Sequence, residues 1–174
     1  MATVKEAAKA FALFADGFNK VVKDTIVENK DMLEELIKEQ LYSGVNGNDK
    51  PLRPTYLNDP YFKSEEAGHW QNKAKSYMMW KKKIKPPKPS FLLDLPARDE
   101  KTPNLIIKGD FYDSITAIPI SDGIRISTQG TTFGDDVERK YGSAILKIGT
   151  VSRKHFIEYF LEPALKSYFS KFGL

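Results

Sequence analysis

The sequence predicts a single-domain α+β protein in which a small antiparallel sheet lies between two helical ends. Amphipathic helix patterns occupy residues 3–42 and 152–172, and one hairpin pattern, at about residues 111–128, lies between them. A chain of 174 residues is long enough to bury a hydrophobic core of its own. We divide it into an N-terminal helix region (1–44), a loop, helix and extended arm (45–103), and a sheet with a C-terminal helix (104–174).

The N-terminal pattern predicts a helix of unusual length for a globular domain. Gly17 is a candidate bend, and Gly44 is a candidate left-handed cap after the last apolar residue. The apolar stripe of this helix is compatible with two structures. One is a core helix broken at Gly17, and the other is a helix that places part of its stripe against another subunit. The apolar residues of the stripe are Phe11, Phe14, Phe18, Val22, Ile26, Leu33, Leu36, Ile37 and Leu41.

The middle of the chain is rich in turn-forming residues. Residues 45–60 predict a loop, and Ser64 is a candidate N-cap for a helix over 65–83 that Pro86 would end. The prolines of 85–103 favour an extended arm. Four apolar residues attach this arm to the body or to a neighbouring subunit: Phe91, Leu92, Leu93 and Leu95.

The hairpin is predicted by Asp122-Gly123, which stands between two β-rich runs. A two-residue turn there pairs Pro119 with Ile126 and Ala117 with Thr128. Because Pro119 donates no hydrogen bond, its strand should lie at a sheet edge or contain a bulge. The expected buried face consists of Ile115, Ala117, Pro119, Ile124 and Ile126.

Shorter elements surround the hairpin. Asp110 should cap a helical turn before it, and a short helix over 135–141 should end at Gly142. Residues 144–148 predict a strand. A last helix should begin at Ser152 and kink at Pro163, since an interior proline removes a hydrogen bond.

Residue groupings for catalysis or metal binding are missing from the sequence. There is no cysteine, and the two histidines, His69 and His155, lack a second histidine at helical spacing. The paired acids at 110 and 113 and at 135, 136 and 138 stand where helices begin, which explains them as capping residues. We therefore expect no enzyme activity, no metal and no cofactor. With no signal peptide or membrane-spanning run, we expect a soluble protein made in the cytoplasm and without a membrane partner.

One chemically suggestive patch remains, a cluster of lysines in a stretch without acids. The lysines are interleaved with Trp70, Tyr77 and Trp80, which suits contact with phosphates and bases. A solvated helix end or an acidic partner subunit explains the same pattern. The cluster consists of Lys73, Lys75, Lys81, Lys82, Lys83, Lys85 and Lys88.

The order of these parts resembles small structural proteins of tailed bacteriophages. The resemblance rests on a long N-terminal helix ending in Gln40, Leu41 and Gly44, a Pro/Lys-rich extended stretch, the segment Gly109, Asp110, Phe111 and Tyr112, a hairpin, and a C-terminal helix with a proline. The similarity is to head-to-tail connector and tail-completion proteins of phages of Bacteroides-type hosts, including the crAss-like group. Lys108 stands where such relatives tend to have Thr.

The resemblance implies a ring-forming virion subunit in the neck or tail, often a hexamer or dodecamer, stacked with the portal or adjacent ring proteins around the DNA channel. Its expected subunit contacts are Phe11, Phe14, Phe18, Phe91, Leu92, Leu93 and Leu95, and the lysine cluster would contact phosphate or an acidic partner. The alternative is a nonspecific nucleic-acid-binding protein that acts through the lysine and aromatic patch.

Overall fold

The computed structural model describes residues 3–121 and 123–172, apart from the side chains of residues 6, 7 and 10. Helices and one two-stranded antiparallel sheet are present, which confirms the predicted mixed class. The elements are α1 (Val4–Glu28), α2 (Lys30–Tyr42), α3 (Ala74–Ile84), α4 (Asp110–Ser114), β1 (Ile115–Ile120), β2 (Gly123–Thr128), α5 (Gly134–Tyr141), α6 (Thr150–Phe156), a π-helical turn (Ile157–Leu161) and α7 (Glu162–Ser170). Short 3₁₀ helices cover Tyr56–Asn58, Pro60–Lys63, Glu65–Trp70 and Ser143–Leu146.

The predicted N-terminal helix is two helices, and the break lies at Asn29 rather than Gly17. The side-chain amide of Asn29 donates to the carbonyl of Thr25 at 2.8 Å, which competes with the helical ladder at that point. Gly17 lies inside α1, where a Cβ would overlap the hydroxyl of Tyr168. That hydroxyl donates to the carbonyl of Phe14 at 2.7 Å, so Gly17 allows α7 to approach α1 closely.

Gly44 has the positive φ that its position after a helix predicts. Its φ is 75°, and its N–H donates to the carbonyl of Leu41 at 2.9 Å. A Cβ there would also crowd Thr102 and Arg98. The prediction of a glycine cap at this point is confirmed.

The hairpin forms with a register that differs by two residues from the predicted one. Pro119 pairs with Ile124, Ala117 with Ile126 and Ile120 with Gly123. Residues 121 and 122 therefore separate the strands, and Asp122 lies outside the described residues. A shift of two residues leaves each side chain on its predicted face, and Ile115 and Ala117 are buried as expected. Ile124 and Ile126 are only half-buried, and Pro119 is exposed near the end of β1, so its predicted burial is wrong.

Helix α2 lies at the centre of the core. On one side Ile37 and Leu41 pack with buried residues from the loop, α4, β1 and the Ser143–Leu146 turn: Leu52, Phe111, Tyr112, Ile115 and Ile145. On another side Leu33 and Leu36 pack with Leu93 and Phe156. Buried side chains from the loop, residues 85–103, α4, β1, the Ser143–Leu146 turn and α6 thus all pack around this one helix.

Two predicted elements in the second half of the chain differ from the structure. Residues 144–148 form no strand, because Ser143–Leu146 is a 3₁₀ turn after Gly142, whose φ is 84°. The last helix begins at Thr150 instead of Ser152. It widens into the π-helical turn at Ile157–Leu161, directly before Pro163, because the ring leaves a carbonyl of the preceding turn without its usual donor.

The predicted helix over 65–83 begins later than expected. Residues Glu65–Trp70 are 3₁₀ and contain Gly68 at φ 52°, so regular α-helix starts only at Ala74. The hydroxyl of Ser64 donates to the carbonyl of Tyr61 at 2.8 Å and does not cap a helix. The helix ends at Ile84, close to the predicted stop.

Residues 85–103 form no helix or strand and lie against α2. The hydroxyl of Tyr42 donates to the carbonyl of Pro86 at 2.9 Å, and that of Ser90 donates to a carboxylate oxygen of Glu39 at 2.6 Å. The carbonyl of Lys85 accepts a bond of 2.8 Å from Arg98. The first two bonds join the beginning of the segment to α2, and the third joins two points within the segment.

Candidate functional site

The structure divides the seven lysines of the predicted cluster into different environments. Lys82 forms a 2.5 Å ion pair with Glu100, and the ammonium of Lys88 lies 5.2 Å from the centre of the Tyr42 ring. Lys85 is half-buried and Lys81 is buried. Lys73, Lys75 and Lys83 are exposed, and none of them has an ion-pair partner within the described ranges. The surface cation patch is therefore smaller than the sequence suggests.

Lys81 points into the protein. Its side chain is only 2% exposed, and its ammonium donates to the carbonyl of Ile106. No carboxylate within the described part of the chain pairs with it. Burial, together with the positive charges of Arg98 and Lys85, lowers the pKa of Lys81 to about 8.

A second buried cation, Arg98, lies in the same region. One guanidinium nitrogen donates to the carbonyl of Lys85, and the group lies 5.6 Å from the centre of the Tyr42 ring. Its Nε and the other terminal nitrogen, Nη1, have no partner among the described residues. The Asn104 amide nitrogen and the Tyr56 hydroxyl are also buried and have no hydrogen-bond partner among the described residues. Buried polar groups without a hydrogen-bond partner are uncommon in protein interiors. Here they mark a polar region in which the described side chains leave hydrogen-bonding groups unpaired.

The aromatic residues predicted as a stacking surface pack mainly on one another. The ring of Tyr77 lies 5.2 Å from Trp70, 5.4 Å from Trp80 and 5.0 Å from Phe62. Burial raises the pKa of the Tyr77 hydroxyl above its ordinary value. Trp70 and Trp80 are half-buried, so these rings support α3 and offer only their outer parts to a ligand.

Next to these rings is a cavity of about 420 Å³. It lies where α3, the segment before α4, and α5 meet. Its wall includes the buried Lys81, and the rest is mostly apolar or aromatic. Its lining includes Tyr56, Tyr77, Lys81, Phe111, Phe133 and Tyr141.

Several predicted subunit contacts are used within the chain. Leu93 is buried against α2, and Leu92 and Leu95 pack beside it. Phe14 and Phe18 lie 5.8 Å and 6.2 Å from Phe169 of α7. Phe11 is 72% exposed and Phe91 is fully exposed, so these two remain available to a partner.

The residues that carry the phage resemblance hold the fold together. The side-chain oxygen of Gln40 accepts bonds from the Gly149 N–H at 2.8 Å and the Ser152 hydroxyl at 3.2 Å, and its nitrogen donates to the carbonyl of Lys147 at 3.0 Å. Gln40 thus fastens the start of α6 to α2. Sequence reasoning named this residue but not its partners, which lie more than a hundred positions away.

The second motif also has a structural role. Phe111 and Tyr112 are buried, and the Tyr112 hydroxyl donates to the carbonyl of Asn104 at 2.5 Å. Gly109 has φ 132°, which turns the chain into α4, and Asp110 is exposed. Gly109, not Asp110, holds the N-cap position, and no side chain caps this helix, so the predicted capping role of Asp110 is wrong. Leu41 is buried in the same core.

Both histidines pack against aromatic rings. His69 packs on Trp70 at 4.9 Å and His155 on Tyr159 at 4.6 Å. Within residues 3–121 and 123–172, no group of three or more His, Cys, Asp or Glu side chains is arranged to hold a metal ion. Among the same residues, no helix has the length and apolar character needed to cross a membrane.

Comparisons with protein-family models, with curated proteins and with solved structures gave no match for this chain. We therefore infer the function from the geometry of the chain itself.

Proposed function

We propose that the protein is a structural subunit of a tailed-phage virion, forming a ring in the head-to-tail connector or tail-completion complex. It would assemble in the host cytoplasm, contact copies of itself and the portal or adjacent ring proteins, and have no enzymatic activity. The exposed, apolar first half of α1 carries the proposal.

The first half of α1 has apolar side chains on its exposed sides as well as on the side that packs against α7. Residues 8–15 contain one charged residue, Lys9. Phe11 and Leu13 are 72% and 61% exposed, while Phe14 packs on the rings of α7. A helix that is apolar around most of its circumference is normally buried, so a second protein surface would stabilise this one.

Phe91 provides a second exposed anchor at a different place. It lies beside Leu92 and Leu93, which pack on the core around α2, and the bond between Ser90 and Glu39 holds the segment. The ring of Phe91 is nevertheless fully exposed. Two different contact surfaces on one subunit suit head-to-tail association, which closes into a ring when the rotation permits.

The exposed lysines suit a role at the channel or at the next ring. Lys73, Lys75 and Lys83 are free to contact phosphate or an acidic protein surface, and such contacts would depend on salt. Lys81 is excluded from this role because it is buried.

Light scattering on a sizing column tests the assembly proposal, with the protein alone and with purified portal protein. We expect a discrete oligomer in at least one of these samples. Phe11→Glu combined with Leu13→Glu should reduce the mass to that of a monomer, because two carboxylates would enter the contact. Leu57→Glu is the matched control: Leu57 is an exposed apolar residue outside α1, and its replacement should leave the mass unchanged.

A monomer in both samples at every concentration would contradict the proposal. So would an oligomer that the double variant and the control weaken equally, since the contact would then not involve α1.

The alternative function, nonspecific nucleic-acid binding, is favoured by the exposed Lys73, Lys75 and Lys83 near Trp70 and Trp80. If it is correct, replacing these three lysines with Gln should abolish retention of duplex DNA at low salt and flatten the salt dependence of binding. A protein that shows no DNA binding to lose at low salt is incompatible with this alternative.

A further inference from the structure

We propose that the cavity beside Lys81 binds a small organic acid, with the carboxylate on the Lys81 ammonium and a flat, apolar body among the surrounding aromatic rings. This site is separate from the assembly surfaces on α1 and at Phe91, and it does not depend on the ring-subunit proposal.

The size and lining of the cavity suit such a molecule. Its volume of about 420 Å³ falls within the range of small-ligand sites, roughly 300–1,000 Å³. The rings of Tyr56, Tyr77, Phe111, Phe133 and Tyr141 all contribute to its wall. Flat apolar groups pack well against aromatic rings, in stacked or edge-on arrangements.

The charge of the cavity selects an anion. Lys81 is a buried cation whose one hydrogen-bond partner among the described residues is the neutral carbonyl of Ile106. An ammonium can donate three hydrogen bonds, so two of its donors lack a protein acceptor within the described part of the chain. A buried charge without an opposite charge is unfavourable, and a ligand carboxylate would remove that cost.

The surrounding charges support the same assignment. Burial is the main cause of the lowered pKa of Lys81, and the positive charges of Arg98 and Lys85 act in the same direction, so the local field is positive. The acid in the cavity wall, Asp110, is exposed and forms no ion pair with Lys81. A carboxylate of the ligand would therefore pair with the Lys81 ammonium without competition from Asp110.

The lining also limits the charge of the ligand. Besides Lys81, the one cationic side chain in the wall is Lys108, which is exposed, and most of the remaining wall is apolar. A phosphate dianion needs several donors to replace its hydration, whereas a monocarboxylate needs only one strong ion pair. The site therefore favours an aromatic or similarly flat monocarboxylate over a phosphate.

Calorimetric titration with 2-naphthoate and its neutral analogue 2-naphthamide tests the proposal at pH 7. We expect 2-naphthoate to bind at least about tenfold more tightly than the amide, since they differ only in the charged group. Lys81→Met keeps a long apolar chain in place and should reduce naphthoate binding to the level of the amide. Lys83→Met, an exposed lysine of the same helix, should leave both affinities unchanged.

A second variant separates loss of the site from loss of folding. Val137→Trp places a ring in the cavity from α5 while Lys81 remains, and it should abolish binding of both probes. Thermal unfolding of each variant identifies any that is not folded. Equal affinities for acid and amide would overturn the proposal, as would no naphthoate binding at millimolar concentration or binding that survives both Lys81→Met and Val137→Trp.

Discussion

The first forty-two residues contain two helices with similar apolar spacing and opposite surroundings. In α2, Leu33, Leu36, Ile37 and Leu41 are buried by the loop, the hairpin, residues 90–95 and α6. In the first half of α1, Phe11 and Leu13 are exposed, and α7 covers only one side. The spacing of apolar residues predicts a helix in both cases, but it does not identify what covers the stripe.

The difference separates residues that determine the fold from residues available for assembly. Changes in α2 should therefore reduce the stability of the isolated subunit, and changes in the first half of α1 should leave that stability almost unchanged. The variants below range from the largest expected effect on the free energy of unfolding to the smallest.

Leu36→Ala should have the largest effect. Leu36 is fully buried between Leu93 and Phe156, so the truncation should leave a cavity and lower the free energy of unfolding by about 4 kcal/mol. Urea unfolding followed by circular dichroism measures the loss. Leu13→Ala, the same change on the exposed part of α1, is the control, and a similar loss there would contradict the contrast between the two helices.

Gln40→Met should have the next largest effect. Gln40 is 1% exposed, and its removal leaves the Gly149 N–H and the Lys147 carbonyl without their bonds to this side chain. We expect a loss of about 3 kcal/mol, because unsatisfied buried polar groups are costly. Lys38→Met, which removes only a surface ion pair with Glu35, should change stability by less than about 0.5 kcal/mol. Equal losses in the two variants would show that Gln40 does not fasten α6.

Lys81 should make stability rise with pH. Burial lowers its pKa to about 8 in the folded state, below the value of 10.5 for an unfolded lysine. Between these values the unfolded chain binds more protons, so the free energy of unfolding should increase by about 2 kcal/mol from pH 8 to 9.5. Above pH 10 the buried tyrosines oppose this trend, since burial raises the pKa of Tyr56 to about 12 and the unfolded chain loses those protons first.

Urea unfolding at pH 7.5 and 9.5 measures this effect in the wild type and in Lys81→Met. The variant should lack the rise, and Lys83→Met should retain it because Lys83 is exposed. A wild type and a Lys81→Met variant with the same pH dependence would rule out Lys81 as its source.

Phe11→Ser should have the smallest effect on the isolated subunit. Phe11 is mostly exposed, so we expect a change of less than about 0.5 kcal/mol in the unfolding of the monomer. The same variant should weaken self-association, measured by sedimentation at several concentrations. A large loss of monomer stability would place Phe11 in the chain's own core instead.

The fold class, the glycine cap at Gly44 and the faces of the hairpin were predictable because they follow from local spacing and turn chemistry. The hairpin register was not, since moving the turn by one position shifts the pairing by two residues and leaves the same side chains on each face. The prediction of a strand over 144–148 was wrong because Gly142, at φ 84°, leads into a 3₁₀ turn. An alternating pattern of apolar residues does not distinguish such a turn from a strand.

The candidate cavity could not be predicted, because its wall comes from segments far apart in the chain. Lys81 belongs to a run of lysines, and only the packing of α3 against residues 105–106 distinguishes the buried member from its exposed neighbours. Helical periodicity offered one signal: Lys81 lies four residues after Tyr77, on the apolar side of α3. That spacing could have separated it from Lys82 and Lys83.

Hydrogen exchange by mass spectrometry tests the contrast between α1 and α2 most directly. Exchange would be compared between the dilute subunit and the assembled species, formed alone or with portal protein. We expect peptides from the first half of α1 to exchange at least about tenfold more slowly after assembly, while peptides from α2 remain equally protected in both states. Unchanged exchange at the start of α1 in the assembled species would contradict the proposal that this helix is an assembly surface.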